Sequence, residues 1–149
     1  MVSRTIDVAI EGSALNAALS RVAVVLANPS ATLDQVGRYL VASTLRRFER
    51  ERAPDGSPWL KSARALAVGG KTLTDTGRLR GSITHTVTDG GRAVEVGSNV
   101  LYAAIHQFGG RAGKGLRATI PARPYLGIDE HDRDAIARIV ARAIIRVGT

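Results

Sequence analysis

The sequence predicts an α+β fold in which helices pack on a small antiparallel β-sheet and long irregular loops connect them. Four segments carry apolar residues at helical spacing, whereas residues 83–97 alternate between apolar and polar positions on either side of a glycine-rich turn. At 149 residues the chain has the length of one ordinary domain. We therefore expect a single domain over residues 1–149.

The first third of the chain is predicted to form a short strand and two helices. Alternating apolar residues at 5–10 indicate a half-buried strand. Ser13 can cap a helix that stops at Asn28-Pro29, and its apolar stripe comprises Leu15, Leu19, Val22 and Leu26. A second helix is predicted over 31–52, with an apolar face made of Leu33, Val36, Tyr39, Leu40, Leu45 and Phe48.

An irregular segment follows the second helix. That helix ends in a charge run at 46–52, whose mixed signs favour a solvated face with local ion pairs over a nucleic-acid track. Periodicity is lost over 53–75, where turn residues are dense and Gly69-Gly70 indicates a flexible break. Trp59, the only tryptophan, is interpreted here as an anchor that pins this loop to the core, and alternatively as a contact with a partner chain.

A β-hairpin is predicted next, with the turn at Asp89-Gly90-Gly91 and return strand at 93–97. Ser98-Asn99 then places an N-cap before a short helix in which three large apolar side chains share one face, and Gly109 ends that helix. These side chains are Tyr102, Ile105 and Phe108. If Phe108 is buried, its replacement by Ala should cost about 3–5 kcal/mol of folding free energy.

The last part of the chain combines a basic loop, a stiff segment and a helix. Residues 109–117 are predicted to form a flexible basic loop, and 120–126 an extended segment, because each proline removes a donor and disfavours helix before it. Asp129 or a neighbour can cap a final helix that reaches about Val147. The buried face of this helix is predicted to comprise Ile136, Ile139, Val140, Ala143 and Val147.

The composition limits the chemistry available to the chain. It has no cysteine, and its histidines, His85, His106 and His131, lie on separate predicted elements without metal-site spacing, so no metal or other cofactor is expected. No nucleophile motif or phosphate-binding loop is present, and an enzyme is not expected. Without an apolar run long enough for a membrane span, we expect a soluble protein that is intracellular when made, with no membrane partner.

Four phrases, in this order, resemble the phage virion morphogenesis family, the tail-completion or neck proteins of Mu-like and related tailed phages. They are PDGSPW at 54–59, LTDTGRLRGSI at 73–83, YAAIHQFGG at 102–110 and IPARPYLG at 120–127. The resemblance implies a structural protein of the virion, at the neck or tail end, that completes the tail and joins it to the head. Similar proteins assemble as rings, usually six-fold, so the implied partners are further copies, tail-tube protein and head-side connector proteins.

The resemblance also suggests roles for individual residues. Those that match the family phrases and are expected to hold the fold are Tyr102, His106, Gln107, Phe108, Pro121, Pro124 and Tyr125. Arg123, between two prolines, is expected to form a specific ion pair within the domain or with a neighbour. The candidates for contacts with partners or other subunits are Trp59, Arg111, Lys114, Arg117 and Arg123, and the loops at 53–75 and 109–117 carry most of them.

The net charge of +8 leaves a second function open. The basic loop can reach an acidic protein partner, or it can contact phosphates, including those of DNA that passes through the neck. The alternative prediction is therefore a basic nucleic-acid-binding module that acts in phage assembly or DNA handling. No helix-turn-helix or other DNA-reading motif accompanies the loop.

Overall fold

The computed structural model describes residues 12–147 and confirms the α+β class. The helices are α1 Gly12–Ala27, α2 Ser30–Arg50, α3 Ala63–Val68, α4 Arg78–Gly81, α5 Ala103–Phe108 and α6 Glu130–Arg146. The strands are β1 Thr84–Thr88, β2 Ala93–Gly97, β3 Gly110–Ala112 and β4 Ala118–Ile120. In the described range β1 pairs with β2 and β3 with β4, both antiparallel. The strand predicted at 5–10 lies outside the described residues.

The long helix α2 packs across the predicted hairpin, which the structure confirms as β1–β2. Gly37 allows this close approach, since a Cβ atom at that position would lie 2.3 Å from the Cδ2 atom of His85 on β1. The His85 ring also binds the helix, with Nε2 2.8 Å from Oδ1 of Asp34. α6 lies against α2 and α1, so α2 is the element that the others share.

The core lies at the C-terminal end of α2. Phe48 packs edge-on against Trp59, with ring centroids 5.5 Å apart, and against Tyr125 at 5.3 Å. The buried cluster around these rings also contains Ala53, Leu79, Ile83 and Ala103. The three aromatic side chains therefore connect α2 with the segment 53–75 and with the extended segment at 120–126, which we call the proline segment.

Arg47 corrects the prediction that residues 46–52 form a solvated face. Its side chain is buried and forms an ion pair with Asp132, a residue with 0% exposure at the start of α6. Arg47 Nη2 also donates to Asp129 Oδ2 at 3.1 Å, and Nη1 donates to the carbonyl oxygen of Gly127 at 2.9 Å. The pairing was missed because both partners lie about 80 residues further along the chain.

The start of α6 is a capping box, which confirms Asp129 as the N-cap. Asp129 Oδ1 accepts a hydrogen bond from the Asp132 amide at 2.8 Å, and Asp132 Oδ2 accepts one from the Asp129 amide at 3.0 Å. Burial alone would raise the pKa of Asp129, but the Asp132 amide and Arg47 hold that pKa below its usual value. The stability that Asp129 contributes is therefore present above the unfolded pKa of about 3.9 and lost as the pH falls through the folded pKa.

Two predicted apolar faces are only partly buried among residues 12–147. On α1 the buried residue is Val25, whereas the predicted stripe is exposed at Leu15, Leu19 and Leu26. On α6 the predicted Val140 and Val147 are exposed, and the residues that do turn inward are Ala135, Ile136, Ile139 and Ala143. Helical spacing identified the helices, but it did not show how much surface the rest of the chain covers.

The segment 53–75 is more ordered than its turn residues predict. It contains α3, which Ser62 caps by accepting a hydrogen bond from the Ala65 amide at 3.1 Å. Glu51 at the end of α2 binds the segment at two points. Its carboxylate accepts a hydrogen bond from the Thr72 amide at 2.6 Å and forms an ion pair with Lys61 at 2.8 Å. The break predicted at Gly69-Gly70 is instead the end of α3, where Gly69 adopts a φ of +69°.

Replacing Arg47 by Met should reduce the unfolding free energy by about 3–5 kcal/mol, since it leaves the buried Asp132 carboxylate without its counter-ion. Arg47→Lys should recover only part of this, because an ammonium lacks the fork that reaches both carboxylates and the backbone carbonyls. Arg50→Met, an exposed position in the same charge run, is the control and should change stability by about 0.5 kcal/mol or less. Urea denaturation measures all three, and equal losses at Arg47 and Arg50 would contradict the assignment.

Candidate functional site

The proline segment is held to α5 by one amide side chain. Gln107 Oε1 accepts hydrogen bonds from the backbone amides of Tyr125 and Leu126, both at 3.0 Å, and its Nε2 donates to the Leu126 carbonyl at 3.0 Å. Residues 121–129 contain no helix or strand, as Pro121 and Pro124 predicted. Gln107 thus supplies the backbone pairing that an extended segment outside a sheet would otherwise lack.

The turn after α5 allows the proline segment to lie against that helix. Gly109 has a φ of +73°, and a Cβ there would lie 2.8 Å from the backbone nitrogen of Ala122, so a larger residue would not fit. The Arg123 amide then donates to the His106 carbonyl at 2.7 Å, and the Tyr125 hydroxyl donates to the Ala103 carbonyl at 2.9 Å. Burial raises the pKa of Tyr125, which keeps this hydroxyl protonated.

A cleft of about 360 Å³ opens beside α5, and we call it the arginine cleft. Residues from three of the four family-like phrases line it, although those phrases lie far apart in the sequence. Its lining comprises Ser62, Arg64, Leu73, Asp75, Thr76, Gly77, Arg78, Leu79, Tyr102, His106 and Arg123. Arg64 and Arg78 were not among the predicted site residues; Arg78 lies within the phrase LTDTGRLRGSI, which was the available signal.

Arg123 is the most buried arginine of the cleft, with 5% of its surface exposed. Its Nε donates to the Leu60 carbonyl at 2.6 Å, and burial lowers its pKa. The ion pair predicted within the domain is not formed with any carboxylate of residues 12–147. The terminal nitrogens Nη1 and Nη2 make no hydrogen bond within the same range.

His106 shares the cleft with Arg123. Its Nδ1 atom is buried and has no hydrogen-bond partner in the described part of the chain, while its ring packs edge-on against Tyr102 at 5.8 Å. Burial, and then the charge of Arg123, lower the pKa of His106. A neutral imidazole and an unpaired guanidinium therefore face the same space.

The predicted basic loop is an ordered hairpin rather than an irregular loop. β3 and β4 pair in the register Gly110↔Ile120, Arg111↔Thr119 and Ala112↔Ala118, and Lys114–Leu116 form a 3-10 turn between them. The side chains of Arg111, Lys114 and Arg117 are exposed. Arg111 Nε donates to the Leu116 carbonyl at 2.9 Å, which stiffens the turn. The hairpin presents three cations on one projection of the surface.

Phe108 corrects the prediction of a buried face on α5. Its side chain is 78% exposed, Tyr102 is also exposed, and Ile105 is only partly buried. Leu101 and Leu116, close in sequence to α5 and the basic hairpin, are exposed as well. The helix is instead attached through Ala103, Gln107 and its backbone, so Phe108 does not hold the fold of this chain by burial in its own core.

Trp59 is 6% exposed, and its Nε1 donates to the Pro124 carbonyl at 2.9 Å. It therefore anchors the segment 53–75 to the proline segment, as the first interpretation held. Little of its indole is left for a partner to contact.

The three histidines lie in different places, His85 on β1, His106 on α5 and His131 on α6. Among residues 12–147 there is no group of three or more His, Asp or Glu side chains placed to hold a metal ion. None of the helices in this range combines the length and apolar character that crossing a membrane requires.

The fold thus presents a basic hairpin, exposed apolar side chains and a cleft lined by arginines, without a metal site in the described residues. Residues 10–144 match the phage virion morphogenesis family, and the chain belongs to that family. It is therefore a phage virion morphogenesis protein.

Two relatives from Mu-like phages are similar over most of the chain. One is the "Mu-like prophage FluMu G protein 2" of Haemophilus influenzae, which is 34% identical over 79% of this chain and 80% of its own length. The other is the "Putative capsid assembly protein G" of Escherichia phage Mu, which is 41% identical over 70% of this chain and 75% of its own. No solved structure matches the chain significantly.

The Phe108→Ala variant should lose about 0.5 kcal/mol or less of unfolding free energy, because the ring is mostly in water. Phe48→Ala is the matched comparison and should lose about 3–5 kcal/mol, since that ring is buried between Trp59 and Tyr125. Urea denaturation of both variants measures the difference. A loss at Phe108 as large as that at Phe48 would mean that the ring is covered in the free protein.

Acidification should destabilise the protein partly through His106. Its folded pKa lies below the unfolded value of about 6.5, so its contribution is present above that pH and lost as the pH falls below it. Between about pH 7.5 and pH 5.5 the unfolding free energy of His106→Gln should therefore fall less than that of the wild type. Chemical denaturation at the two pH values tests this, and parallel losses would contradict it.

Proposed function

We propose that this protein is a structural component of the phage neck, which completes the tail and joins it to the head as a ring of identical subunits. Family membership supports a role in building the virion. The name of the phage Mu relative refers to capsid assembly, and a protein at the joint between tail and head would act where the capsid is completed. We propose that the ring has six-fold symmetry. Its partners in this proposal are tail-tube protein and a head-side connector protein.

The exposure of Phe108 is the observation that carries this proposal. The Phe108 ring is 78% exposed, and Leu101 and Leu116, which are close to it in the sequence, are exposed as well. We propose that they form one apolar patch of the kind that another chain covers. In a ring each subunit gives one patch to the next subunit, which presents a different patch in return. We propose that α5 and the basic hairpin form one of these two patches.

The segment 53–75 is a second candidate for subunit contacts. Leu60, Leu66 and Val68 are exposed along it, although Glu51 and Trp59 fix its course. An ordered segment with exposed apolar side chains binds a neighbour at a lower entropic cost than a flexible one.

The direct test is assembly together with the effect of removing the protein from the phage. We expect the purified chain to form rings, alone or with tail-tube protein, in size-exclusion chromatography with light scattering and in electron micrographs. Phage that lack it should produce separate heads and tails. A chain that stays monomeric in both mixtures, with virions that remain joined in its absence, would overturn the proposal.

Reversing the charge of the basic hairpin with Arg111→Glu and Lys114→Glu should leave the fold intact and impair assembly. Both side chains are exposed, so the thermal midpoint should change little, whereas an acidic partner surface would now be repelled. Arg92→Glu with Arg138→Glu is the control, since it makes the same change of net charge at exposed positions elsewhere. Normal assembly of the hairpin variant would exclude the hairpin from the contact.

The same hairpin favours a second candidate, a nucleic-acid-binding module. The major groove admits a two-stranded β-ribbon, and β3–β4 carries Arg111, Lys114 and Arg117. If these three cations neutralise three phosphates, the logarithm of the DNA-binding constant should fall with the logarithm of the salt concentration with a slope of about −2.7. A flat or absent response, measured by fluorescence anisotropy, would remove this candidate.

A further inference from the structure

The arginine cleft contains more positive charge than its own residues neutralise. Arg64, Arg78 and Arg123 line it, and Asp75 is the one acidic residue of the lining. The Asp75 carboxylate is largely exposed and lies 3.5 Å from Arg64 Nη1. Arg123 and Arg78 therefore form no ion pair with any carboxylate in residues 12–147.

Arg123 is a largely buried residue, with 5% of its surface exposed, and it has no counter-ion in residues 12–147, which is unfavourable because burial removes much of the water around a charge and no carboxylate replaces it. Only Nε of Arg123 is satisfied, by the Leu60 carbonyl. The four N–H bonds on Nη1 and Nη2 remain available, and the orphaned Nδ1 of His106 lies in the same lining. By contrast, the buried Arg47 is paired with Asp132 and Asp129, so the chain does neutralise a buried arginine elsewhere.

The free groups fit a carboxylate. A planar guanidinium with both terminal nitrogens free binds the two oxygens of a carboxylate through two parallel hydrogen bonds. Leu73, Leu79 and Tyr102 supply apolar lining for the methylene groups that carry such a carboxylate. A volume of about 360 Å³ admits one acidic side chain and the backbone near it.

We propose that the arginine cleft receives an Asp or Glu side chain from a second copy of this chain, with Arg123 as the residue that binds its carboxylate. This inference rests on the proposed ring, because the ring places a neighbouring copy against each subunit. The chain has acidic side chains to offer. Those that are exposed and form no ion pair within residues 12–147 are Asp55, Asp89, Glu95, Glu130 and Asp134.

The depth of Arg123 favours a side chain over nucleic acid. Phosphates of a duplex are contacted by exposed cations along the surface, as the basic hairpin would do, whereas Arg123 is 5% exposed. A single flexible side chain can enter a recess that a duplex backbone does not enter. Binding of a phosphate is therefore an outcome that the experiment must separate from binding of a carboxylate.

The first experiment tests the chemistry of the cleft without assembly. Glutarate is titrated at constant ionic strength into protein diluted until light scattering shows a monomer, and NMR follows the His106 ring as a reporter beside Arg123. We expect a saturable shift of the His106 signals and a rise in the thermal midpoint, with at least tenfold weaker binding for Arg123→Gln. Arg92→Gln, at an exposed arginine outside the cleft lining, is the matched control and should bind as the wild type does.

Three outcomes would overturn the proposed ligand. Binding that is absent, or equally strong in Arg123→Gln with its fold intact, would exclude Arg123 as the carboxylate-binding residue. Preferential binding of inorganic phosphate over glutarate, with DNA binding that is lost in Arg123→Gln, would assign the cleft to nucleic acid. Each of these results leaves the ring itself standing, so the failure of this inference is distinguishable from the failure of the proposed function.

The second experiment identifies the donor in assembled protein. Arg123→Gln should weaken ring formation about thirtyfold or more, as expected when one partner of a buried charged pair is removed. Each Asp and Glu except the buried Asp132 is then changed to its amide, alone and together with Arg123→Gln. One of these changes should reproduce the loss without adding to it in the double variant. Rings that form normally with Arg123→Gln, or that show no such coupled acid, would exclude a second copy as the donor.

Discussion

The buried ion pair between Arg47 and Asp132 is the interaction on which the rest of this structure depends. The guanidinium binds both carboxylates of the α6 capping box and the Gly127 carbonyl at the end of the proline segment. Three pieces of chain, α2, residues 124–128 and α6, are thereby fixed relative to one another. Since the proline segment carries Arg123, this pair also sets where that arginine lies.

A buried charge is favourable only when its partner is in place, and the two buried arginines among residues 12–147 differ in this respect. Arg47 has two carboxylates and belongs to the framework. Arg123 donates one hydrogen bond, to the backbone carbonyl of Leu60. The nearby His106 has a buried Nδ1 atom without a hydrogen-bond partner in residues 12–147. The physical rule that makes Arg47 part of the framework is also the reason why we propose an external carboxylate as the partner of Arg123. In the assembly that we propose, stability and subunit contact would therefore use the same chemistry, at Arg47 and at Arg123.

The aromatic side chains, like the buried arginines, fall into two groups, one within the core and one at the surface. Phe48, Trp59 and Tyr125 pack together and close the centre of the domain. Phe108, only a few residues from Ala103 of that core, points away from it. Only 4% of the residues are aromatic, so one exposed Phe side chain is a considerable fraction of the aromatic rings that the chain could bury. This is why its position supports a surface that another subunit covers.

The sequence by itself determined the features that depend on neighbours a few residues away. The Asp129 cap, the β1–β2 hairpin around Asp89–Gly91, the break at Gly109 and the extended proline segment follow from capping, alternation and backbone restriction, which are local. The family phrases likewise identified the class of protein. Tertiary structure alone decided that Arg47 is buried, that Phe108 is exposed and that three distant phrases meet at the arginine cleft. Burial and ion pairing depend on residues tens of positions away in the sequence. Helical spacing or a run of charges does not specify which of these residues will contact a given side chain.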